Sequence, residues 1–282
     1  MPSSPRVVVC GPASWNHLIA LDHLPEPVPH MQFAQRSWHT IGGTSAGKAL
    51  HLAGLGVDVR LWASVGDDED GVRLRERLMQ AGVVVEVIAS EQTERHVNLM
   101  ADGGRVSLYV STPSTPSAEA VEAAVGAVAS ADLAVIDLSE LGRLVLEAMP
   151  ARPTPLWMDL HDYDGASAFH EPFLRAADGV FMNDDGAEDP WKLMASCLDR
   201  GPRLAVCTLG AQGAIALEAD GTRHEVAASP ATVVDTNGAG DAFMAGFLAA
   251  WLRKEPVDVA LQAAADQARV AIETEHLHPA LA

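Results

Sequence analysis

Cysteine is scarce in this 282-residue chain, with Cys10, Cys197 and Cys207 the only three. So sparse and odd a set excludes a disulfide framework and offers no paired-thiol metal spacing, and the thiols read as reduced and structural. Basic residues are also short: 19 Lys and Arg face 38 Asp and Glu, a formal charge of -19 with histidines neutral. The field of such a surplus repels nucleic acid and anionic membrane surfaces, so neither is expected as a partner. No run of 18 or more apolar residues is present, which excludes an ordinary membrane-spanning helix. The opening MPSSPRVVVC lacks the basic leader and long apolar stretch of a secretory signal. A cytoplasmic location is the expectation. What the chain does have is 48% hydrophobic and 20% charged residues, the balance of a folded protein, over a length that suits one large domain.

Short apolar runs at 7–10, 57–63, 83–88, 133–136, 156–160, 179–182 and 204–208 read as buried strands. Between them lie segments of helical length at 46–55, 72–80, 118–129, 141–149 and 191–198. Strands alternating with helices predict an α/β domain with a largely parallel sheet, and residues 239–251 and 256–273 predict a helical C-terminal portion. Two stretches break the rhythm. Residues 17–39 are proline-rich, and 96–110 hold two extended segments joined by Ala101-Asp102-Gly103-Gly104, a tight-turn sequence. Both are expected in a small β lid, spanning about 14–41 and 95–111, on a single domain of residues 1–282.

Gly42-Gly43-Thr44-Ser45-Ala46-Gly47-Lys48-Ala49 superficially matches a nucleotide-binding P-loop, but Ala49 stands where a hydroxyl would help hold magnesium. Lys48 then reads as a solvent-facing helix residue. More informative is Val233-Val234-Asp235-Thr236-Asn237-Gly238-Ala239-Gly240-Asp241, a short strand running through a small-residue turn into a helix. At that helix start, unpaired N–H groups near Gly238, Ala239 and Gly240 can converge on phosphate oxygens, and bulky side chains there would block the approach. Asp241 would emerge beside the phosphate, where a carboxylate can take a proton from an attacking hydroxyl. The plainer reading is a tight turn, with Asp241 compensating the helix dipole and Asp235 capping.

With these motifs in order, the chain resembles a ribokinase-like, or PfkB-type, carbohydrate kinase. Gly42-Gly43 resembles the family's N-terminal sugar-site signature, residues 235–241 its catalytic DTxGAGD signature, and Thr208-Leu209-Gly210-Ala211-Gln212-Gly213 its nucleotide-site turn. The resemblance implies a three-layer α/β/α fold with a mostly parallel central sheet and a β lid. It also implies an ATP-dependent transfer of the γ-phosphate to a carbohydrate hydroxyl, with Asp241 as general base and Gly238, Ala239 and Gly240 as the anion hole. Asn183, Thr208, Gly210 and Gly213 are the implied nucleotide contacts, and Asn16, Gly42, Gly43 and Gly47 the implied acceptor contacts. Magnesium is expected with the nucleotide. A monovalent cation such as K+ would sit at Asp235 and Asn237, and a homodimer would form through the lid.

Several positions depart from the family pattern. Asn183 begins an NxxE motif whose fourth position here is Gly186, leaving the magnesium ligands unassigned. Asn16 stands where a sugar-binding aspartate is usual, and Gly47 where a substrate-contacting asparagine is. The sequence therefore keeps two alternatives, a nucleoside kinase and a catalytically weak sugar- or nucleotide-binding protein. Trp15 and Trp38 are candidates for a stacking wall or for lid packing, and His161, Asp162 and Asp164 lie at the expected active end of the sheet.

Overall fold

The computed structural model describes residues 5–101, 104–149 and 154–282. The first apolar run forms β1 (Arg6–Cys10), after which the chain leaves the core for two antiparallel strands, β2 (Ser14–Ala20) and β3 (Arg36–Gly42). It returns through α1 (Thr44–Gly54), β4 (Asp58–Gly66), α2 (Glu69–Gln80) and β5 (Val84–Ser90). A second excursion makes β6 (Glu94–Ala101) and β7 (Gly104–Ser111). Helices and strands then alternate: α3 (Ala118–Ala129), β8 (Leu133–Ile136), α4 (Glu140–Ala148), β9 (Leu156–Asp159), α5 (Glu171–Ala176), β10 (Gly179–Asn183), α6 (Pro190–Leu198) and β11 (Leu204–Thr208). The hairpin β12 (Ala214–Glu218) and β13 (Arg223–Val226) precedes α7 (Ala239–Leu252) and α8 (Val257–Ile272).

Nine strands make the central sheet in the order β13-β12-β11-β10-β9-β8-β1-β4-β5. Every pairing from β5 to β11 is parallel, and only the β11–β12 and β12–β13 pairings are antiparallel. The parallel strands are apolar throughout because both faces are covered. Val7, Val9, Leu61 and Val206 face a core shared with α1, α7 and α8, whereas Val8, Cys10, Ala205 and Cys207 face one shared with α3, α4 and α6. This is the expected three-layer arrangement. All three thiols are buried and free, and burial pushes Cys10 up to about 12, aided by the nearby Asp137 charge.

Helix starts are set by local chemistry. The side chains of Asp68, Ser117, Ser139 and Asp189 each accept the backbone N–H three residues on, which fixes where α2, α3, α4 and α6 begin. The lid is a four-stranded sheet in the order β3-β2-β6-β7. Its two excursions are joined by a parallel β2–β6 pairing, in which Asn16 lies opposite His96 and Trp15 opposite Arg95. The expected turn residues Asp102 and Gly103 lie outside the described residues.

One expected strand is absent. Val233 and Val234 are exposed, and the Val234 N–H donates to Ile272 O at the end of α8 (2.7 Å) instead of to a sheet neighbour. A two-residue apolar run is too short to compete for a ladder position, and β13 already closes that edge.

Candidate active site

The carboxyl ends of the parallel strands carry a row of polar side chains, where ligands gather in open α/β sheets. Asp137 follows β8, Asp159 ends β9, Asn183 ends β10 and Thr208 ends β11. Asn183 and Thr208 are register partners. The Asn183 Oδ1 accepts the Asp185 N–H (3.1 Å), so it caps the strand end. Gly186 packs on the neighbouring loop: a Cβ there would lie 2.6 Å from Asp162 O and 2.9 Å from Tyr163 O. Any side chain at that position, the glutamate of an NxxE motif included, would clash with this loop.

Residues 235–241 form the turn into α7. Asp235 Oδ1 accepts the Asn237 N–H (2.9 Å), and Gly238 is the N-cap with φ 79°, a left-handed conformation that suits glycine. A Cβ at Gly238 would also press on Leu277 Cδ2 at 2.8 Å. Gly240 and Asp241 lie in the first turn, where an N–H has no preceding helical carbonyl and points outward. A Cβ at Gly240 would enter open space, because Gly240 lines a cavity of about 330 Å³. Thr208, Gly210, Gly213 and Ala239 line the same cavity, with Phe243, Val233 and Ile272 among its apolar walls. The structure thus brings together the turn, three of the four expected nucleotide contacts and a slot of apolar surface. Asn183 stands beside Thr208 without lining that cavity.

A second cavity, of about 400 Å³, lies between the lid and the ends of the sheet strands. Gly11, Pro12 and Ser64 line it from below, Glu94 and Tyr109 from the lid, and Ser139 and Glu140 from the start of α4. His96 and Tyr109 pack their rings at 4.0 Å, and the His96 Nε2 is 2.7 Å from Glu94 Oε1. Asn16, Gly42, Gly43 and Gly47 do not line this cavity; they sit behind it. Asn16 is buried, its Oδ1 accepting the Ser14 hydroxyl (2.7 Å) and its Nδ2 lying against Gly42, where a Cβ would be 2.0 Å away. Gly43, with φ 91°, lets the chain pass over Pro12 O. Gly47 has a distinct function in packing: a Cβ there would come within 2.7 Å of Asp241 Oδ2.

Lys48 departs most from the sequence reading. It is fully buried, because α1 is a helix enclosed from Ser45 to Leu52 and leaves no solvent-facing place at position 48. Its Nζ lies 2.8 Å from Asp241 Oδ1, 3.0 Å from Asp159 Oδ2 and 3.1 Å from Asp137 Oδ1. The Asp241 contact is a hydrogen bond, whereas Asp137 Oδ1 has no well-aligned one and its contact is electrostatic. Burial works to lower the Lys48 pKa, but Asp137, Asp241 and Asp159 overcome it and hold the ammonium well above its usual value. Burial raises Asp241 to about 6, with Asp159 and Asp137 adding to the rise and Lys48 opposing it. Asp159 goes the other way, to about 2: burial opposes this, but His161, Lys48 and the His161 N–H prevail.

The sequence reading had no account of Asp137 or of Lys48's burial. Asp137 had a signal, since it directly follows an apolar strand run, whereas nothing local in α1, which also holds Thr44, Ser45 and His51, marks Lys48 for burial. Of the other candidates, Asp164 caps its own loop through the Ala166 and Ser167 N–H groups, and His161 faces Asp159 at 3.5 Å. Trp15 is buried in the core beneath the lid, and Trp38 stacks under the Arg36 guanidinium at 4.3 Å. From the lid, Arg105 Nη1 donates to Asn237 Oδ1 (2.9 Å), tying β7 to the turn. Among the described residues no cluster of three or more His, Cys, Asp or Glu side chains is arranged to hold a metal, and no helix is long and apolar enough to cross a membrane.

This arrangement defines an α/β protein with a glycine-rich turn into α7, an adjoining buried carboxylate and two cavities. The chain belongs to the pfkB family of carbohydrate kinases, whose sequence pattern it matches over residues 4–280. It is 31% identical over 263 residues to an acarbose 7(IV)-phosphotransferase of Actinoplanes sp., covering 91% of this chain and 88% of the other. It is 30% identical over 270 residues to an ATP-dependent ribose-1-phosphate kinase of Halopiger xanaduensis, with the same coverages. Among solved structures, a microbiome-derived acarbose kinase superposes with a TM-score of 0.84 at 26% identity, covering 96% of this chain and 94% of that one. The ribokinase of Arabidopsis thaliana, complexed with ribose and ATP, shares the fold at a TM-score of 0.81 and 22% identity, covering 98% and 95%.

Proposed function

We propose that this protein transfers the γ-phosphate of ATP to a hydroxyl of a small, uncharged carbohydrate. The observation that carries the reading is Asp241 itself: a buried carboxylate one residue after Gly240, which lines the cavity assigned to the nucleotide. In this reading adenine lies against the apolar wall at Phe243, Val233 and Ile272, and Thr208, Gly210 and Gly213 face the phosphates. The Gly240 and Asp241 N–H groups, with the positive end of α7, hold the transferred phosphoryl group. Asp241 accepts the proton of the attacking hydroxyl. Magnesium arrives with the nucleotide and offsets its charge. A monovalent cation fits poorly at Asp235 and Asn237 as they stand, because Asp235 Oδ1 is engaged by the Asn237 N–H and Arg105 already brings a positive charge to the turn.

The acceptor's charge follows from the second cavity. Glu94 and Glu140 line it and, among the described residues, no Lys or Arg does, while Gly11 on its floor abuts Ser45 and Asp137. A phosphorylated sugar would enter against that field, whereas neutral hydroxyls find acceptors for their hydrogen bonds. A nucleoside is the second reading, supported by the paired His96 and Tyr109 rings beside the cavity, which offer a face for a base. The test is mass spectrometry of products after incubation with magnesium, ATP and a panel of neutral saccharides, sugar phosphates and nucleosides. Addition of one phosphoryl group to a neutral saccharide is expected. Preferential phosphorylation of a sugar phosphate would overturn the acceptor assignment, and a nucleoside monophosphate as main product would select the second reading.

A further inference from the structure

We infer that Lys48 is the positioning residue for the base: its buried ammonium holds the Asp241 carboxylate in a cage completed by Asp137 and Asp159. The inference rests on the reading of Asp241 given above. Three carboxylates from separate parts of the chain converge on one nitrogen, from the first turn of α7, the end of β9 and the segment after β8. Two of them have other anchors. Asp137 Oδ2 accepts from the Ser45 hydroxyl (2.6 Å), and Asp159 Oδ1 accepts from the His161 N–H (3.0 Å). Asp241 has no such support. Its one side-chain hydrogen bond among the described residues is the 2.8 Å contact from Lys48 to Oδ1.

The other oxygen, Oδ2, carries no hydrogen bond among the described residues, and the side chain retains 9% of its exposure. One oxygen is therefore clamped while the other stays free to take a proton. Gly47 and Lys48 act as a pair in this: the bare residue clears room for Oδ2, and the charged one grips Oδ1. Both would also be displaced together, because they are consecutive on α1 and move with it.

The cage also sets when Asp241 is ionised. The groups facing it are Lys48 from α1, Asp159 from β9 and Asp137 from the segment after β8, with His161 behind Asp159. Burial and the two aspartates favour the protonated form, and the ammonium opposes them. Removing Lys48 should raise the pH at which Asp241 ionises, whereas neutralising Asp159 should lower it. A lysine that merely fills space would not produce the first movement, while the second reports the Asp159 charge in the cage.

The experiment is a ¹³C NMR titration of the aspartate side-chain carboxyl carbons in the intact, ligand-free protein, with the Asp241 signal assigned by its loss in Asp241→Asn. Wild type is compared with Lys48→Met and Asp159→Asn. The expected result is a midpoint near pH 6 in wild type, moved up by about one unit or more in Lys48→Met and down in Asp159→Asn; a one-unit rise lowers the ionised fraction about tenfold at pH values below the midpoint. Should Lys48→Met not fold, Lys48→Met/Asp137→Asn keeps the charge balance of the cage. A smaller upward movement is expected there, because losing Asp137 removes a charge that raises Asp241, but Lys48 acts on Asp241 more strongly. An unmoved midpoint in the lysine variant that folds, or in Asp159→Asn, overturns the inference. The titration needs no acceptor, so its outcome is independent of whether Asp241→Asn abolishes phosphoryl transfer, which tests the base itself.

Discussion

At Asp241 a single side chain combines a functional benefit with a structural penalty. Its pKa, raised by burial from an ordinary 3.8 to about 6, means that the native state binds more protons than the unfolded chain between those values. This group's contribution to stability is therefore greatest below about pH 4 and declines as pH rises through 6. Asp159 has the opposite sign: lowered to about 2, it contributes stability above about pH 4 that is lost as pH falls through 2. Asp241→Asn should lose ~10²–10⁴-fold in kcat while leaving Tm at pH 7 unchanged or higher. Near-normal turnover would remove the base assignment, and a Tm that falls with activity would make the carboxylate a structural group. Gly47→Ala tests the same site from the other side. Its Cβ would meet Asp241 Oδ2 at 2.7 Å, so kcat should fall clearly while ATP affinity, measured calorimetrically, changes little. An equal loss of both would mean that α1 as a whole has moved.

Among the elements, the turn into α7 is where the nucleotide cradle succeeds or fails. Gly238→Val meets a φ of 79° and the Leu277 side chain, so it should weaken both folding and nucleotide binding. Gly240→Val points its side chain into open cavity space and should weaken binding with the fold intact. Unchanged ATP affinity in both variants rejects the cradle. The lid makes a separate prediction. β7 is an edge strand exposed along nearly its whole length, with Val106 and Leu108 on one side of the pleat and Val110 exposed at a bulge. Bare apolar edges pair readily, so sedimentation should find a dimer that Leu108→Lys dissociates; a wild-type monomer would refute lid pairing. Much of this architecture was legible in the sequence. The strand runs at 133–136 and 204–208 match β8 and β11, because fully covered parallel strands are continuous apolar runs. β13 was missed because its mixed edge sequence carries no such run, whereas β12 does carry one, Ala214–Leu217, and it went unread beside the Thr208–Gly213 turn. The turn at 238–241 was legible through its glycines, whereas the Lys48 cage was not: it joins residues 89 to 193 positions apart, and local pattern says nothing of such distances.

Across the whole molecule, the charge of -19 works against an anionic nucleotide at long range, while in the proposed function the local turn and magnesium favour it close in. Salt screens the long-range part first. The apparent Kd for magnesium–ATP should therefore stay level or tighten as ionic strength rises from low to moderate; a steep weakening would mean that the basic side chains at the site, Arg269 lining the nucleotide cavity and Arg105 at the turn, outweigh the overall field. The central claim is that this molecule moves the γ-phosphate of ATP to an acceptor hydroxyl through Asp241. The most direct measurement is ³¹P NMR of the reaction with magnesium, ATP and the neutral saccharide that the product panel identifies, run beside Asp241→Asn. ADP and one phosphomonoester resonance should grow in equal amounts with the wild type and be slowed ~10²–10⁴-fold in the variant. Release of inorganic phosphate without a phosphomonoester, or equal product from the variant, would contradict it.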